Sequence, residues 1–355
     1  MQKWSICGIQ QVGIGNKSVY DTWEWYRSRL GLNVPVFDEA AEAALMLPYT
    51  GGKPRSRHAV LALNMQGGGG AEIWQYTSRE PQAADFEIKI GDLGILFAKY
   101  KSVDIHKSLE HLKSERLISS SANQAPDGSN EFFLNDPFGN IIQIIEKDDW
   151  FNKGSFHSGG IYGVGIGVSD MDKSLSFYQK VLGYDSVIYD ETGVFDDLKG
   201  LPGGEGTFRR VCLTHSKTRQ GAFSTLFGRS EIELFEAKSF KGTPIFKDRL
   251  WGDLGYIHLC FDIIDMDALR EDCKAFGCPF QVDSGDFDMG EAAGKFAYIE
   301  DPDGTLIEFV ETLKVPILKK IGWYLDLRKR DQKRNLPRWM IKALGLNKKS
   351  KPVNQ

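Results

Sequence analysis

The chain repeats itself. The run Asp136-Pro137-Phe138-Gly139-Asn140-Ile141-Ile142-Gln143 comes back 165 positions later as Asp301-Pro302-Asp303-Gly304-Thr305-Leu306-Ile307-Glu308. A second phrase, Trp25-Tyr26 through Leu30-Gly31-Leu32, comes back 152 positions later as Phe177-Tyr178 through Leu182-Gly183-Tyr184. Duplicated units bury equivalent faces in equivalent ways, so the repeat constrains architecture more firmly than local propensity does, and any site is expected at equivalent positions. At 355 residues two units of ordinary size are expected, at 1–150 and 158–313, followed by a tail at 314–355.

A weaker repeat divides each half again. Four short apolar strands open the modules: Gln11–Gly15, Gly94–Ala98, Gly163–Val168 and His258–Ile263. A helix follows each one. Asp104, Asp170 and Asp265 are suited to cap three of these helices, and Gly31, Gly183 and Gly277 to end them. Short β-type segments come next, closing on Glu72–Tyr76, Ile141–Ile145, Glu231–Phe235 and Leu306–Val310, two of them entered through an Asp-Pro-x-Gly turn. Each module therefore reads βαβββ, and the fold class is α+β. One helix covers one face of a curved four-stranded sheet. The concave face is left open, so modules are expected to pair and enclose two cavities.

Composition is that of a globular protein. No apolar run approaches the roughly 18 residues of a spanning helix, and no secretory signal pattern opens the chain, so a cytoplasmic location is expected. Cys7, Cys212, Cys260, Cys273 and Cys278 form no CxxC pair, which speaks against a disulfide framework and a cysteine-based zinc site. Charge is uneven. Residues 314–355 hold 13 Lys and Arg against two Asp, a balance of +11 that leaves −15 on residues 1–313 of a chain with net charge −4. With its Trp and Leu residues the tail is expected to pack on the body as a solvated helix or to touch an anionic membrane surface. No basic groove with interleaved aromatics occurs in the body, so nucleic acid is not expected as a partner.

The order of strand, Asp-capped helix ending in Phe177-Tyr178 through Gly183, and three strands with Asp301-Pro302-Asp303-Gly304 before the last resembles the vicinal oxygen chelate superfamily. That superfamily includes glyoxalase I, extradiol dioxygenases and methylmalonyl-CoA epimerase, and the resemblance covers roughly residues 1–313. It implies metal ligands at the first residue of an opening strand and at the acidic residue of a closing strand. Carried onto this chain, module one offers Gln11 and Glu72, module two Gly94 and Gln143, module three Gly163 and Glu233, and module four His258 and Glu308.

Pairing of modules then decides the chemistry, and two arrangements are open. Third with fourth gives Glu233, His258 and Glu308 with a gap at Gly163. First with fourth gives Gln11, Glu72, His258 and Glu308 together, a set that resembles zinc-type glyoxalase I, as does Ile9-Gln10-Gln11. Such a set suits Zn, Ni, Co or Mn better than Fe. The resemblance implies a metal-dependent lyase or isomerase that moves a proton beside a carbonyl of a small oxygenated substrate, with Glu308 as base, Glu72 its counterpart, and Gln11 and His258 as ligands. An iron-dependent ring-cleaving dioxygenase and a non-catalytic metal- or ligand-binding protein are the rival expectations.

Other residues read as structural. Glu72 and Glu233 can equally pair with Lys or Arg across a sheet, and His58, His106, His111, His157 and His215 have no matching partner. Gly13, Gly15 and Asn16 stand where glyoxalase I places an arginine for the glutathione carboxylate, so the resemblance does not carry glutathione over. Gly67–Gly70 reads as a flexible hairpin or a close backbone approach to a ligand. Strand alternation puts Glu72, Trp74 and Tyr76 on one face. Four modules supply internally the partner that shorter relatives find by dimerising, so a monomer or weak dimer is expected.

Overall fold

A computed structural model describes residues 3–119, 121–288, 293–318 and 321–349. Lys319, Lys320 and residues 350–355 of the basic tail lie outside the described residues. Module one runs β1 (Ser5–Asn16), α1 (Val19–Leu30), β2 (Val34–Glu42), β3 (Ser56–Leu63) and β4 (Gly70–Tyr76). Module two runs β5 (Gly94–Ser102), α2 (Ile105–Leu112), the short β6 (Arg116–Leu117) and β7 (Asn123–Gln124), β8 (Asn130–Asn135) and β9 (Ile141–Glu146). Module three runs β10 (Ser158–Gly167), α3 (Met171–Lys180), β11 (Ser186–Gly193), β12 (Phe208–Thr214), a short α4 (Ser224–Phe227) and β13 (Glu231–Ala237). Module four runs β14 (Gly255–Ile264), α5 (Met266–Ala275), the short β15 (Val282–Asp283) and β16 (Phe287–Asp288), β17 (Ala293–Glu300) and β18 (Leu306–Leu318). The tail adds β19 (Trp323–Asp326) and α6 (Arg338–Ala343).

The caps form as the sequence suggests, with one substitution. Asp104, Asp170 and Asp265 accept from the backbone N–H groups of Lys107, Lys173 and Ala268, while Ser18 does the same for α1 through Asp21. Gly31 ends α1 in the left-handed region at φ 72°.

Each sheet draws on both halves of the chain. The first runs β15-β17-β18-β14-β1-β4-β3-β2 and joins the outer modules; the second runs β11-β12-β13-β10-β5-β9-β8-β6 and joins the inner ones. β1 pairs antiparallel with β14, and β10 with β5, so each sheet has a module–module seam at its centre. The arrangement of third module with fourth does not occur.

The two repeated phrases touch each other. Tyr26 of the first helix phrase donates its hydroxyl hydrogen bond to Asp136 of the turn phrase at 2.7 Å, and Tyr178 donates to Asp301 at 2.9 Å. Each of these carboxylates also accepts backbone N–H groups of its own turn, from Phe138 and Asn140 in one case and Asp303 and Thr305 in the other. A helix of one sheet is thereby fastened to a turn of the other. Between the sheets lies the main core, which takes Trp23, Tyr26, Tyr100, Tyr178 and Phe261 from all four modules.

Gly67–Gly70 serves this junction rather than a ligand. Gly69 and Ile161 exchange both backbone hydrogen bonds at 2.8 Å, and a Cβ on Gly68 would stand 2.7 Å from the Gly160 carbonyl carbon. The tail packs on the body, with Leu327, Leu336, Ile341 and Leu344 buried against Phe223, Leu226 and Phe227. No helix among the described residues is long and apolar enough to cross a membrane.

Candidate metal centre

Register at the seam of the first sheet decides which side chains meet. Gly13 of β1 lies opposite His258 of β14 and beside Glu72 of β4. Gln11 lies opposite Cys260, whose other neighbour is Glu308 of β18. Residues two apart share a face, so Gln11, Glu72, His258 and Glu308 form a quadrilateral across the seam. Gly13 makes the geometry possible, because a Cβ there would stand 2.4 Å from Cε1 of His258. Gly15 is likewise required, since its Cβ would meet the Asp253 carbonyl oxygen at 1.9 Å. Asn16 is buried and donates to the Trp74 carbonyl oxygen. This strand therefore has no place for the arginine of a glutathione site.

The four side chains converge. Nε2 of His258 lies 3.2 Å from Oε2 of Glu72 and 3.1 Å from Oε2 of Glu308. The Gln11 amide donates to the same two oxygens, at 3.1 Å and 3.5 Å. One donor atom from each of Glu72, His258 and Glu308 falls within 4.8 Å of the others. His258 is fully buried, and Glu72 and Glu308 keep only 8% and 7% of their surface, so what little solvent the centre meets it meets at the carboxylates.

Charge balance inside this cluster is uneven. Burial would raise Glu72, but the hydrogen bond and charge of His258, with Arg57 and Gln11 assisting, hold it below the ordinary carboxylate range. Burial pushes Glu308 up to about 7, against the pull of His258 and with a push from Glu72. Burial alone would lower His258, yet the two carboxylates raise it. Two acids within one cluster are thus driven apart, one kept ionised and one poised near neutrality.

A cation fits the cluster. Gln11 Oε1 and Nδ1 of His258 are buried with no hydrogen-bond partner among the described residues, an expensive condition for groups of this polarity, while Nε2 of His258 faces only the two carboxylates. An amide oxygen, an imidazole nitrogen and two carboxylates form a hard-to-borderline donor set, and a half-turn of the Gln11 amide would aim its oxygen inward.

Trp251, Tyr298 and Cys260, around the centre, carry no signal of that role in the sequence. Trp251 stacks on the His258 ring at 6.3 Å between centroids, Tyr298 meets it edge-on at 5.6 Å, and Trp74 meets Trp251 at 4.7 Å. Glu72, Trp74 and Tyr76 do share a face, with Trp74 fully buried in this aromatic wall. The Tyr298 hydroxyl and the Cys260 thiol both reach Glu308. Only their partners on distant strands give these residues meaning. Among the remaining histidines, His58 pairs with Asp38 at 2.7 Å and His215 bonds the Lys217 carbonyl oxygen, burial pushing its ring down to about 4.

The second sheet repeats this frame with other side chains. There Gly165 lies opposite Phe97 and beside Glu233, and Gly163 lies opposite Lys99, whose neighbour is Gln143. Phe97, not Gly94, therefore occupies the position of His258, and a Cβ on Gly165 would meet the Phe97 ring at 2.3 Å. Gly163 replaces Gln11, Gln143 replaces Glu308, and Glu233 keeps the place of Glu72. Lys99 binds Glu233 at 2.6 Å, and Arg210 binds both Glu233 and Asp197, the latter at 2.6 Å. These cations hold Glu233 at about 2 despite complete burial.

Comparison with known proteins places this architecture. The family profile described as Glyoxalase/Bleomycin resistance protein/Dioxygenase superfamily matches residues 160–309. Glyoxalase I from Zea mays is similar in fold, with a TM-score of 0.52 at 14% identity over 87% of this chain and 92% of that one. A putative dioxygenase from Bacillus subtilis subsp. subtilis str. 168 is similar with a TM-score of 0.54 at 13% identity, covering 86% of each chain. No curated protein matches the sequence. The matched segment is a domain of the glyoxalase/bleomycin resistance protein/dioxygenase superfamily, and the two-sheet fold of the chain is that of the vicinal oxygen chelate proteins.

Proposed function

We propose that the chain is a metal-dependent lyase or isomerase of the glyoxalase type, acting on a small oxygenated carbonyl compound. The observation that carries this reading is the convergence of Gln11, Glu72, His258 and Glu308 around buried polar atoms that lack partners. Gln11, Glu72, His258 and Glu308 would hold a divalent ion such as Zn, Ni, Co or Mn. Bound there, the ion would supply the positive charge that lowers the cost of an enediolate.

The side chains do the rest. Glu308, poised at about 7, accepts a proton from the carbon beside the carbonyl and returns it to the neighbouring atom. Tyr298 and Cys260 hold its carboxylate in place. Glu72, kept ionised, contributes charge and remains a ligand. Trp74, Trp251 and Tyr298 form an apolar wall beside the ring of His258, keeping water from that side. Arg57, on the face of β3 that also carries Leu61 opposite Glu72, adds positive charge that helps to keep Glu72 ionised. A single histidine in the set disfavours ring-cleaving iron chemistry, which normally uses two.

Metal analysis of protein purified without chelators tests the reading. Stoichiometric metal is expected, lost in His258→Ala and Glu72→Gln and kept in Glu233→Gln. Adding metal at about 100 times its Kd should stabilise the wild-type fold by about 2.7 kcal/mol, and should not stabilise His258→Ala. Metal content indifferent to His258→Ala overturns the proposal, and oxygen uptake dependent on Fe(II) would replace it with the dioxygenase reading.

A further inference from the structure

From the surface of the C-terminal segment we infer that this protein docks on an anionic phospholipid membrane. The segment is not a loose appendage. β19 pairs with β18, and Leu327, Leu336, Ile341 and Leu344 are sunk into the body. Its apolar needs are thereby met on the inner side.

The outer side is apolar as well. Among the described residues the most exposed large hydrophobic side chains are Ile321 at 73%, Leu346 at 63% and Trp339 at 62%, all in this segment, whereas Val194, the next, reaches 55%. Trp339 stacks on Trp323 at 6.2 Å, making an outward aromatic pair. Large apolar groups left in water on an anchored element mark an interaction surface rather than unfinished packing. Exposed bases share the segment with them. Lys333, Arg334, Lys342 and Lys348 have no carboxylate within ion-pair distance among the described residues.

This combination selects the partner. A lipid surface takes Trp at the headgroup level, aliphatic side chains just below it and Lys or Arg against its phosphates. A nucleic acid would use the bases but would leave Ile321 and Leu346 in water, and the two tryptophans already stack on each other instead of presenting a slot for a base. The charge of +11 on residues 314–355 against −15 on residues 1–313 orients the approach tail-first and holds the body off an anionic surface. Each Lys or Arg near such a surface is worth about 1 kcal/mol, or roughly a fivefold change in affinity.

Co-sedimentation of the full chain with vesicles tests the inference. Binding is expected to phosphatidylserine-rich vesicles, not to pure phosphatidylcholine, and it should weaken as salt rises. The exposed triple variant Arg334→Ala/Lys342→Ala/Lys348→Ala should lose on the order of 100-fold in affinity with an unchanged urea midpoint. Trp339→Ala should weaken binding with no change of charge. Equal binding to both vesicle types, or full retention by the triple variant, overturns the inference. So does transfer RNA that displaces the vesicles while Trp339→Ala has no effect, which assigns the surface to nucleic acid instead.

Discussion

The sharpest test of the two-cavity architecture is one substitution made twice. Gly13 and Gly165 occupy equivalent places at the two seams, and neither has a left-handed φ, so alanine is allowed by the backbone at both. At Gly13 the new Cβ would stand 2.4 Å from Cε1 of His258, about 1 Å inside ordinary contact. The ring has nowhere to go. It is fully buried, with Trp251 stacked on its face and Tyr298 against its edge. Overpacking of this kind costs about 1–3 kcal/mol. Metal binding should suffer far more, because ligand distances tolerate only about 0.2 Å and even second-layer changes cost about 10–100-fold in affinity. At Gly165 the same methyl meets the Phe97 ring at 2.3 Å, where no ligand is displaced. Gly13→Ala should therefore lose stoichiometric metal by elemental analysis and weaken a competition titration by about 100-fold or more, while Gly165→Ala keeps wild-type metal at a similar loss of urea stability. Wild-type metal affinity in Gly13→Ala would refute the placement of His258, and equal metal loss in both would refute the division of labour between the cavities.

Two further outcomes follow from buried charge. Lys99→Met removes one of the cations on fully buried Glu233 and should cost about 3 kcal/mol in urea unfolding without changing metal content; a loss under about 1 kcal/mol would mean that Arg210 alone suffices. Asp262, beside Gln10 and Thr312, is pushed by burial from 3.8 up to about 7. The fold thus favours its neutral form, so its contribution is fullest below pH 4, declines between about 4 and 7, and leaves the wild type up to about 4 kcal/mol worse off above pH 7. Asp262→Asn cannot ionise and should be the more stable protein at pH 8, with the gap closing towards pH 4; parallel pH–stability curves for the two proteins would sink this account.

How much of this was legible in the sequence depends on the range of the interactions. The Asp caps, the glycine helix stops and the Asp-Pro-x-Gly hairpins are local, and they appear where the sequence puts them. Positional equivalence between modules also marks Gln11, Glu72, His258 and Glu308, although each lies inside its strand rather than at its end. Register across the sheet is another matter. Gly94 opens β5 as Gly255 opens β14, so Phe97, three residues further on, is the match of His258; both seams carry the same register shift, and no local pattern marks where the strands begin. Lys99 and Arg210 mislead for a related reason. A basic residue in a strand is ordinarily read as solvent-facing, and these two are buried only because Glu233 waits on another strand.

The same comparison explains why one frame keeps a place for a cation and the other does not. Glu72 and Glu233 are equivalent acids, each buried and each needing positive charge close by. In the second sheet that need is met by an ion pair within the chain, because the position of Cys260 is taken by Lys99, whose ammonium group lies 2.6 Å from Glu233. With Phe97 in place of the imidazole and Gly163 in place of the amide, only Gln143 and Glu233 remain of the four positions, and Glu233 is already held by Lys99 and Arg210. In the first sheet Cys260 is small and neutral, Glu308 stands where Gln143 does, and the excess negative charge of two carboxylates faces one imidazole. An acid that is buried without a lysine must find its counter-charge elsewhere, and on the proposed reading a cation held between Glu72 and Glu308 would supply it.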